Sequence, residues 1–203
     1  MKLTIIGASG HGKVVADIAS LCGYDEIEFL DDNKSLIHCG KWPVVGICSK
    51  ADDVDSDLFV AIGNAEIRKR FIEKYSYKHI VTLIHPSAII AKDVKIGFGT
   101  VVMAGAVINP DTQIGNGCII NTCASVDHDC VVGDYSHVSV GAHLCGTVSI
   151  GESAWIGAGS TVINNVSVCG GCMIGAGAVV VKNIDLKGTY IGIPARIIDE
   201  VLL

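Results

Sequence analysis

The sequence predicts two folded parts, a small parallel α/β domain over residues 1–84 and a β-solenoid over residues 85–203. Two observations predict them. A strand, a glycine-rich turn and a helix follow one another at the start of the chain, and from Ile90 onward an aliphatic residue recurs at every sixth position without an insertion. Residues six apart lie on nearly opposite faces of a 3.6-residue helical turn, so the repeat cannot be an amphipathic helix.

The N-terminal elements are read from short apolar runs between turn residues. A buried strand at residues 3–6 leads into the glycine-rich turn from Gly7 to Lys13, and helix-spaced apolar residues continue to Leu21. The further predicted elements are strands at 27–30, 58–62 and 80–84 and a helix at about 65–75. Strands that alternate with helices indicate a Rossmann-like domain whose ligands bind at the carboxyl ends of the strands.

The glycine-rich turn nearly matches two nucleotide-binding motifs. Gly7 to Lys13 fits G-x-x-x-x-G-K, but Val14 replaces the hydroxyl residue of a P-loop, which excludes ATP hydrolysis. The dinucleotide fingerprint fits loosely, with Asp31 and Asp32 about 20 residues further on, but the domain is too short for a second mononucleotide half. Because backbone N–H groups at a helix start attract phosphate, we predict a nucleotide-diphosphate ligand. The alternative is a tight turn with a solvated acidic corner.

The repeat consists of sixteen blocks of six residues. The fifth residue of each block is mostly small, and glycine fills the second place of six blocks, where it is available for a corner. This pattern looks like the hexapeptide repeat of left-handed parallel β-helices, in which 18 residues complete one triangular coil, so the blocks make a little over five coils. The aliphatic first residues are Ile90, Ile96, Val102, Ile108, Ile114, Ile120, Val126, Val132, Val138, Leu144, Ile150, Ile156, Val162, Val168, Ile174 and Val180.

Composition excludes several classes of protein. The net charge is −6 and no basic cluster exists, which argues against a nucleic-acid partner. No apolar run reaches the 18 or so residues of a membrane-spanning helix. The start at Met1 runs directly into folded sequence without an export signal, and the nine cysteines are an odd number, so we expect free thiols in a cytoplasmic protein.

Three cysteines fall at the small inward place of the repeat, and we interpret them as core residues: Cys118, Cys130 and Cys172. Cys169 and Cys172 have the spacing of a zinc or redox pair. No second pair completes a tetrahedral site, so we predict no metal.

The densest polar interruption of the repeat is Asp127-His128-Asp129. A histidine held by a neighbouring carboxylate can act as a general base near pH 7, with Asp129 as the orienting group and Asp127 as the alternative. Adding one coil of 18 residues to His128 gives Gly146, whose backbone N–H could donate to a developing oxyanion. The arrangement indicates acyl transfer. The alternative is a solvent-facing histidine in a polar loop, against which the flanking acids and the second histidine, His137, weigh.

At this point the motifs resemble a known family over nearly the whole chain. These motifs are I-I-G-A-S-G-H-G ending at Gly12, F-L-D-D at 29–32, A-I-G-N at 61–64, I-H-P-S-A at 84–88, H-D-C-V-V-G at 128–133, S-H-V-S-V-G at 136–141 and G-I-P-A-R at 192–196. They are similar to those of bacterial PglD-like sugar acetyltransferases, which N-acetylate UDP-4-amino-4,6-dideoxy sugars in bacillosamine synthesis. Sialic acid O-acetyltransferases are close relatives.

The resemblance implies roles for individual residues. His128 would be the catalytic base, Asp129 its partner and Gly146 the backbone donor to the thioester of acetyl-CoA. The implied contacts to acetyl-CoA are His137, Gly146, Ala158 and Arg196. The implied contacts to the nucleotide sugar are Gly10, His11 and Gly12 at the diphosphate and Asp31, Asp32 and Asn64 at the nucleoside.

The resemblance also implies a homotrimer with active sites between neighbouring β-helices and direct acetyl transfer to the sugar 4-amino group. Two other functions stay open: O-acetylation of a sialic acid or similar sugar, and a noncatalytic solenoid that scaffolds a sugar-synthesis complex.

Overall fold

The computed structural model describes residues 1–198 and divides the chain into two compact units, Met1–Pro86 and the residues from Ser87 onward. Residues 199–203, which belong to the predicted C-terminal domain, lie outside the described residues. Within residues 1–198, neither α-helix has the length and apolarity needed to cross a membrane.

The first unit is a five-stranded sheet with helices. Its central strand β1 pairs in parallel with β2 on one side and β5 on the other, and β4 continues the sheet in parallel beyond β2, with β3 antiparallel at the edge. The elements are β1 (Lys2–Ile6), α1 (Gly10–Leu21), β2 (Glu26–Leu30), β3 (His38–Cys39), β4 (Trp42–Gly46), a 3₁₀ helix (Cys48–Asp52), β5 (Asp57–Val60), α2 (Ala65–Lys74) and β6 (Leu83–Ile84).

The sheet places three loops at one edge. Leu3, Ile5 and Ile6 are fully buried, which fixes β1 as the centre of the sheet. Because β1, β2 and β5 are parallel, the loops that follow them lie at the same edge, and the strand order reverses at β1. Such a switch point is where open α/β sheets bind ligands.

Several boundaries differ from the predicted ones. Helix α1 begins at Gly10 instead of after Lys13, since the glycines of the turn already adopt helical geometry. The predicted strand at 80–84 is a strand only at Leu83–Ile84, and Ile80 forms a single bridge to Leu58, because this apolar run is used for burial more than for pairing. The sequence reasoning missed β3, β4 and the 3₁₀ helix, whose short segments lack a clear period.

The second unit is a parallel β-helix built from two-residue strands. Every strand pairs in register with the strand 18 residues later, as in Ile108 with Val126 and Ile114 with Val132. The strands are β7 (Ile89–Ile90), β8 (Lys95–Ile96), β9 (Val101–Val102), β10 (Val107–Ile108), β11 (Gln113–Ile114), β12 (Ile119–Ile120), β13 (Ser125–Val126), β14 (Val131–Val132), β15 (His137–Val138), β16 (His143–Leu144), β17 (Ser149–Ile150), β18 (Trp155–Ile156), β19 (Thr161–Val162), β20 (Ser167–Val168), β21 (Met173–Ile174), β22 (Val179–Val180), β23 (Thr189–Ile191) and β24 (Arg196–Ile198).

The strands form three flat sides. The first side runs from β7 through β10, β13, β16 and β19 to β22, and the second from β8 through β11, β14 and β17 to β20. The third runs from β9 through β12, β15, β18 and β21 to β23 and β24. The aliphatic residue of each block points inward, and Cys118, Cys130 and Cys172 are buried in the same core, as predicted. One apolar column therefore holds all coils together.

The corners depend on two kinds of position. The left-handed backbone conformation occurs at the fourth residue of a block, as at Gly117 (φ 59°) and Asp129 (φ 58°), and not at the second-place glycines. Those glycines serve close stacking instead: a Cβ on Gly133 would lie 2.6 Å from the backbone nitrogen of Glu152 in the next coil. Asp tolerates the left-handed conformation better than most residues, so a carboxylate can occupy a corner.

Candidate active site

The corner that follows β13 carries Asp127, His128 and Asp129. The imidazole Nδ1 of His128 lies 2.7 Å from Oδ2 of Asp129, and both side chains are about half-exposed. Asp127 is engaged differently, since its Oδ1 accepts from the side-chain amide of Asn109 and from the backbone N–H of His128. Of the two carboxylates that the sequence left open, Asp129 is therefore the one that holds the ring.

This contact sets the tautomer of His128. A carboxylate can only accept, so Nδ1 carries the hydrogen and, in the neutral ring, Nε2 presents a lone pair. The hydrogen bond to Asp129 raises the pKa of His128 above its ordinary value, and the charge of Asp127 acts in the same direction. An oriented imidazole with a free Nε2 is the chemical form that a general base needs.

Gly146 lies directly against this ring. A Cβ built on Gly146 would be 2.6 Å from both Cε1 and Nε2 of His128. The φ of Gly146 lies outside the left-handed region, so the backbone does not require glycine here. The space does, because any side chain would displace the imidazole.

Backbone hydrogen bonds between coils hold the corner in place. The N–H of Thr147 donates to the carbonyl of His128 (2.9 Å), and the N–H of Asn165 donates to the carbonyl of Gly146 (3.1 Å). Within the described part of the chain, the N–H of Gly146 donates to no acceptor. An unpaired amide beside an oriented base is what an oxyanion donor requires.

Asn164 also lies at this corner, and the sequence reasoning missed it. Its Nδ2 is 3.3 Å from the same built Cβ position on Gly146. The rule that found Gly146 finds Asn164 as well, since it is one further coil of 18 residues along the chain.

The predicted acetyl-CoA contacts other than Gly146 lie elsewhere on the β-helix. His137 is on β15 of the third side, only 8% exposed, with its ring tilted against that of Trp155 at a centroid distance of 4.6 Å. Ala158 is exposed at the corner that follows β18, and Arg196 is exposed on β24. A single chain therefore does not bring these three residues onto the corner that carries His128.

In the first unit, the predicted diphosphate glycines differ in their surroundings. A Cβ on Gly12 would lie 2.2 Å from the carbonyl oxygen of Gly7 and 3.0 Å from Phe29, so Gly12 is a packing residue between helix and strand. A Cβ on Gly10 would meet nothing within 4 Å, which leaves the start of α1 open.

The predicted nucleoside contacts are already bonded to the loops around them. Asp31 accepts from the N–H groups of Ala8 and Asn33, both at 2.8 Å. Asp32 accepts from the N–H of Cys48 at 2.9 Å, and Asn64 caps α2 by accepting from Ile67 at 3.0 Å. These three side chains connect the loops at the carboxyl ends of β1, β2 and β5 and so shape that edge of the sheet.

His11 has an unusual environment at the start of α1. Its Nε2 is buried and has no hydrogen-bond partner in the described residues. Arg68, which is 1% exposed and donates to the carbonyls of Ile62 and Gly63, is its nearest source of charge. Burial, together with this cation, lowers the pKa of His11 to about 4, so the ring is neutral at pH 7.

The cysteine pair in the second unit packs closely. The sulfur atoms of Cys169 and Cys172 are 3.1 Å apart. Among residues 1–198, no group of three or more His, Cys, Asp or Glu side chains is arranged to hold a metal ion.

Comparison with known proteins places these features in a family. Residues 2–75 match the PglD N-terminal domain model, and residues 93–128 match the bacterial transferase hexapeptide model. The chain is 41% identical to the acetyltransferase domain of PglB from Neisseria gonorrhoeae FA1090, with a TM-score of 0.94 over 97% of this chain and 99% of that one. This chain belongs to the family of PglD-type sugar acetyltransferases.

The other PglD-type proteins compared carry ligands or a curated activity. The PglB domain is also known in complex with acetyl coenzyme A, at 40% identity and a TM-score of 0.94 over 97% of this chain and 98% of that one. PerB from Caulobacter crescentus, solved with CoA and GDP-perosamine, is 38% identical, with a TM-score of 0.92 over 98% of each chain.

The UDP-N-acetylbacillosamine N-acetyltransferase of Bacillus subtilis is 38% identical over 111 residues, so the match spans about half of either sequence (51%). The family resemblance, the Rossmann-like domain and the left-handed β-helix are thereby confirmed.

The environment of His11 yields a prediction about its charge. Because its folded pKa is about 4, its imidazole should stay neutral between about pH 8 and pH 5, where an ordinary histidine titrates. Proton–nitrogen NMR of the imidazole side chains measures this, and the His11→Gln variant identifies the resonance. A titration midpoint near the ordinary value would contradict the buried, cation-facing environment.

Proposed function

We propose that this chain transfers the acetyl group of acetyl-CoA to the 4-amino group of a nucleotide-linked amino-deoxy sugar. We favour a UDP-4-amino-4,6-dideoxy-N-acetylhexosamine as the acceptor. The observation that carries the proposal is the corner where His128, oriented by Asp129, faces Gly146 and its unpaired N–H. Two PglD-type relatives that cover nearly the whole chain are described as complexes with acetyl coenzyme A or with CoA and GDP-perosamine.

The geometry supports direct transfer. The amine nitrogen attacks the thioester carbon, and the carbonyl electrons move onto oxygen, where the N–H of Gly146 donates to them. Nε2 of His128 takes the proton that the amine loses. When the carbonyl re-forms, the carbon–sulfur bond breaks, and the imidazolium returns the proton to the departing CoA sulfur. No covalent enzyme intermediate is needed.

The N-terminal unit is suited to hold the nucleotide diphosphate. The start of α1 is open at Gly10, and helix N-termini bind phosphate through backbone N–H groups. His11, neutral at pH 7, would contribute a hydrogen bond there rather than a charge. Asp31, Asp32 and Asn64 shape the neighbouring edge, where we expect the nucleoside.

We infer that the active unit is a homotrimer. His128 lies at the corner between the first and second sides of the β-helix, whereas the proposed CoA contacts Ala158 and Arg196 lie on or beside the third. One CoA molecule can touch both groups if a neighbouring chain supplies one of them. Partly exposed apolar side chains on the flat sides, such as Val131 and Met173, suit such contacts. All nine cysteines are free thiols, which fits a reducing compartment such as the cytoplasm.

Thiol release from acetyl-CoA, measured over a panel of acceptors, tests the proposed reaction. The wild-type chain should release CoA with a UDP-, dTDP- or GDP-linked 4-amino sugar. The His128→Ala variant should lose at least about 100-fold in turnover, as expected when a general base is removed, with its oligomeric state unchanged.

The matched control is His79→Ala. His79 also forms a histidine–carboxylate pair, with Asp57 at 2.6 Å, but at the start of β5, remote from the proposed chemistry. Its activity should stay within about twofold of wild type. Activity with free sialic acid alone would favour O-acetylation, and a wild-type chain inactive with every acceptor would favour a scaffold. Unchanged turnover in His128→Ala would contradict the mechanism.

The pH dependence tests the role of Asp129. The base must be neutral to accept a proton, so kcat/KM should rise with pH through the pKa of His128, which Asp129 raises. In Asp129→Asn this acid limb should move to lower pH, because the negative charge is gone, and the plateau should fall because the imidazolium loses its partner. An acid limb that stays in place would show that Asp129 does not set the pKa of His128.

A further inference from the structure

Asn164 approaches the candidate site from the coil that follows Gly146. Its Nδ2 lies 3.3 Å from the built Cβ position of Gly146, and Nε2 of His128 lies 2.6 Å from the same point. The two nitrogens are therefore no more than about 6 Å apart. The N–H of Gly146 is attached to the same α-carbon, so three groups from three successive coils surround one small space.

The chemistry of the three groups is complementary. His128 presents a lone pair at Nε2, because Nδ1 donates to Asp129. Gly146 and Asn164 present N–H donors. Within the described part of the chain, neither the N–H of Gly146 nor the side-chain amide of Asn164 has a protein partner.

The separation limits what can lie between His128 and Asn164. A direct hydrogen bond needs about 3 Å, so a donor and an acceptor at up to about 6 Å fit a bridging atom instead. A group that faces both must lose a proton toward Nε2 and accept a hydrogen bond from Nδ2. An amine attacking a carbonyl meets both requirements, the first through its nitrogen and the second through the carbonyl oxygen.

We propose that the side-chain amide of Asn164 is a second oxyanion donor, which acts with the N–H of Gly146 on the thioester oxygen during acetyl transfer. This inference rests on the proposed function. As the amine nitrogen bonds to the thioester carbon, the carbonyl electron pair moves to oxygen and Nε2 of His128 takes the amine proton. Nδ2 of Asn164 donates to that oxygen until the carbon–sulfur bond breaks and the sulfur receives the proton.

The position of Asn164 suits this role. The N–H of the next residue, Asn165, donates to the carbonyl of Gly146, which fixes the Asn164 backbone one coil above the site. Asn164 is exposed and packs into no core, so its removal should leave the fold intact. The side chain is therefore available for a ligand.

The test is the steady-state kinetics of Asn164→Ala with acetyl-CoA and the acceptor that the wild type uses. We expect kcat to fall by about 100-fold, the low end for loss of an oxyanion donor. KM for both substrates should change by less than about twofold, because the contact strengthens only as charge develops. Asn164→Asp should lose more, since a carboxylate cannot donate and repels the oxyanion.

The matched control is Asn183→Ala. Asn183 follows one coil after Asn165 at the same corner, and its Oδ1 accepts from the N–H of Ser167 at 3.0 Å. Its removal should lower the thermal unfolding midpoint with kcat unchanged, whereas Asn164→Ala should lower kcat with the midpoint unchanged.

The outcomes separate the two proposals. If the wild type is active and Asn164→Ala keeps kcat within twofold, or changes only KM, the oxyanion role of Asn164 is overturned and the proposed function stands. If the wild type transfers acetyl to no acceptor, both proposals fail together.

Discussion

The 18-residue register between stacked coils is the constraint on which the candidate site depends. Each two-residue strand pairs with the strand one coil later, which brings residues 18 apart to within about 4.8 Å along the stacking direction. His128, Gly146 and Asn164 meet for this reason. Carbonyl-to-amide bonds at the corner, from Asp129 to Pro110 and from Thr147 to His128, keep the register where no strand exists.

The two histidines with the clearest environments differ in what controls their charge. His128 is exposed at the corner, so contact with Asp129 and not burial raises its pKa and fixes its tautomer. His11 is in the opposite situation, since burial and the nearby Arg68 keep it neutral. An exposed base can exchange protons with a substrate amine, whereas a buried neutral ring can orient a ligand without adding charge.

Much of the fold could be predicted from the sequence, because the repeat has no insertion and its aliphatic positions permit only one period. The proximity of His128 and Gly146 followed from the same period. The structure was needed to show that Asp129 and not Asp127 contacts the imidazole, since both flank His128 and only the left-handed backbone at Asp129 distinguishes them.

Other features could not be derived because their cause is tertiary. The buried cation of Arg68 beside His11 depends on how α2 packs, and a single arginine in an amphipathic helix carries no such signal. The segments of β3 and β4 are too short for periodicity to decide. Asn164 could have been found, because it is one coil beyond Gly146, but an exposed asparagine in a turn attracts no attention by itself.

A crystal structure of this chain with bound acetyl-CoA tests the central claim most directly. The account predicts that the thioester oxygen lies within about 3.2 Å of the Gly146 nitrogen, with Nε2 of His128 facing the carbonyl carbon. A thioester bound at a different corner of the β-helix, away from both groups in every subunit present, would contradict it.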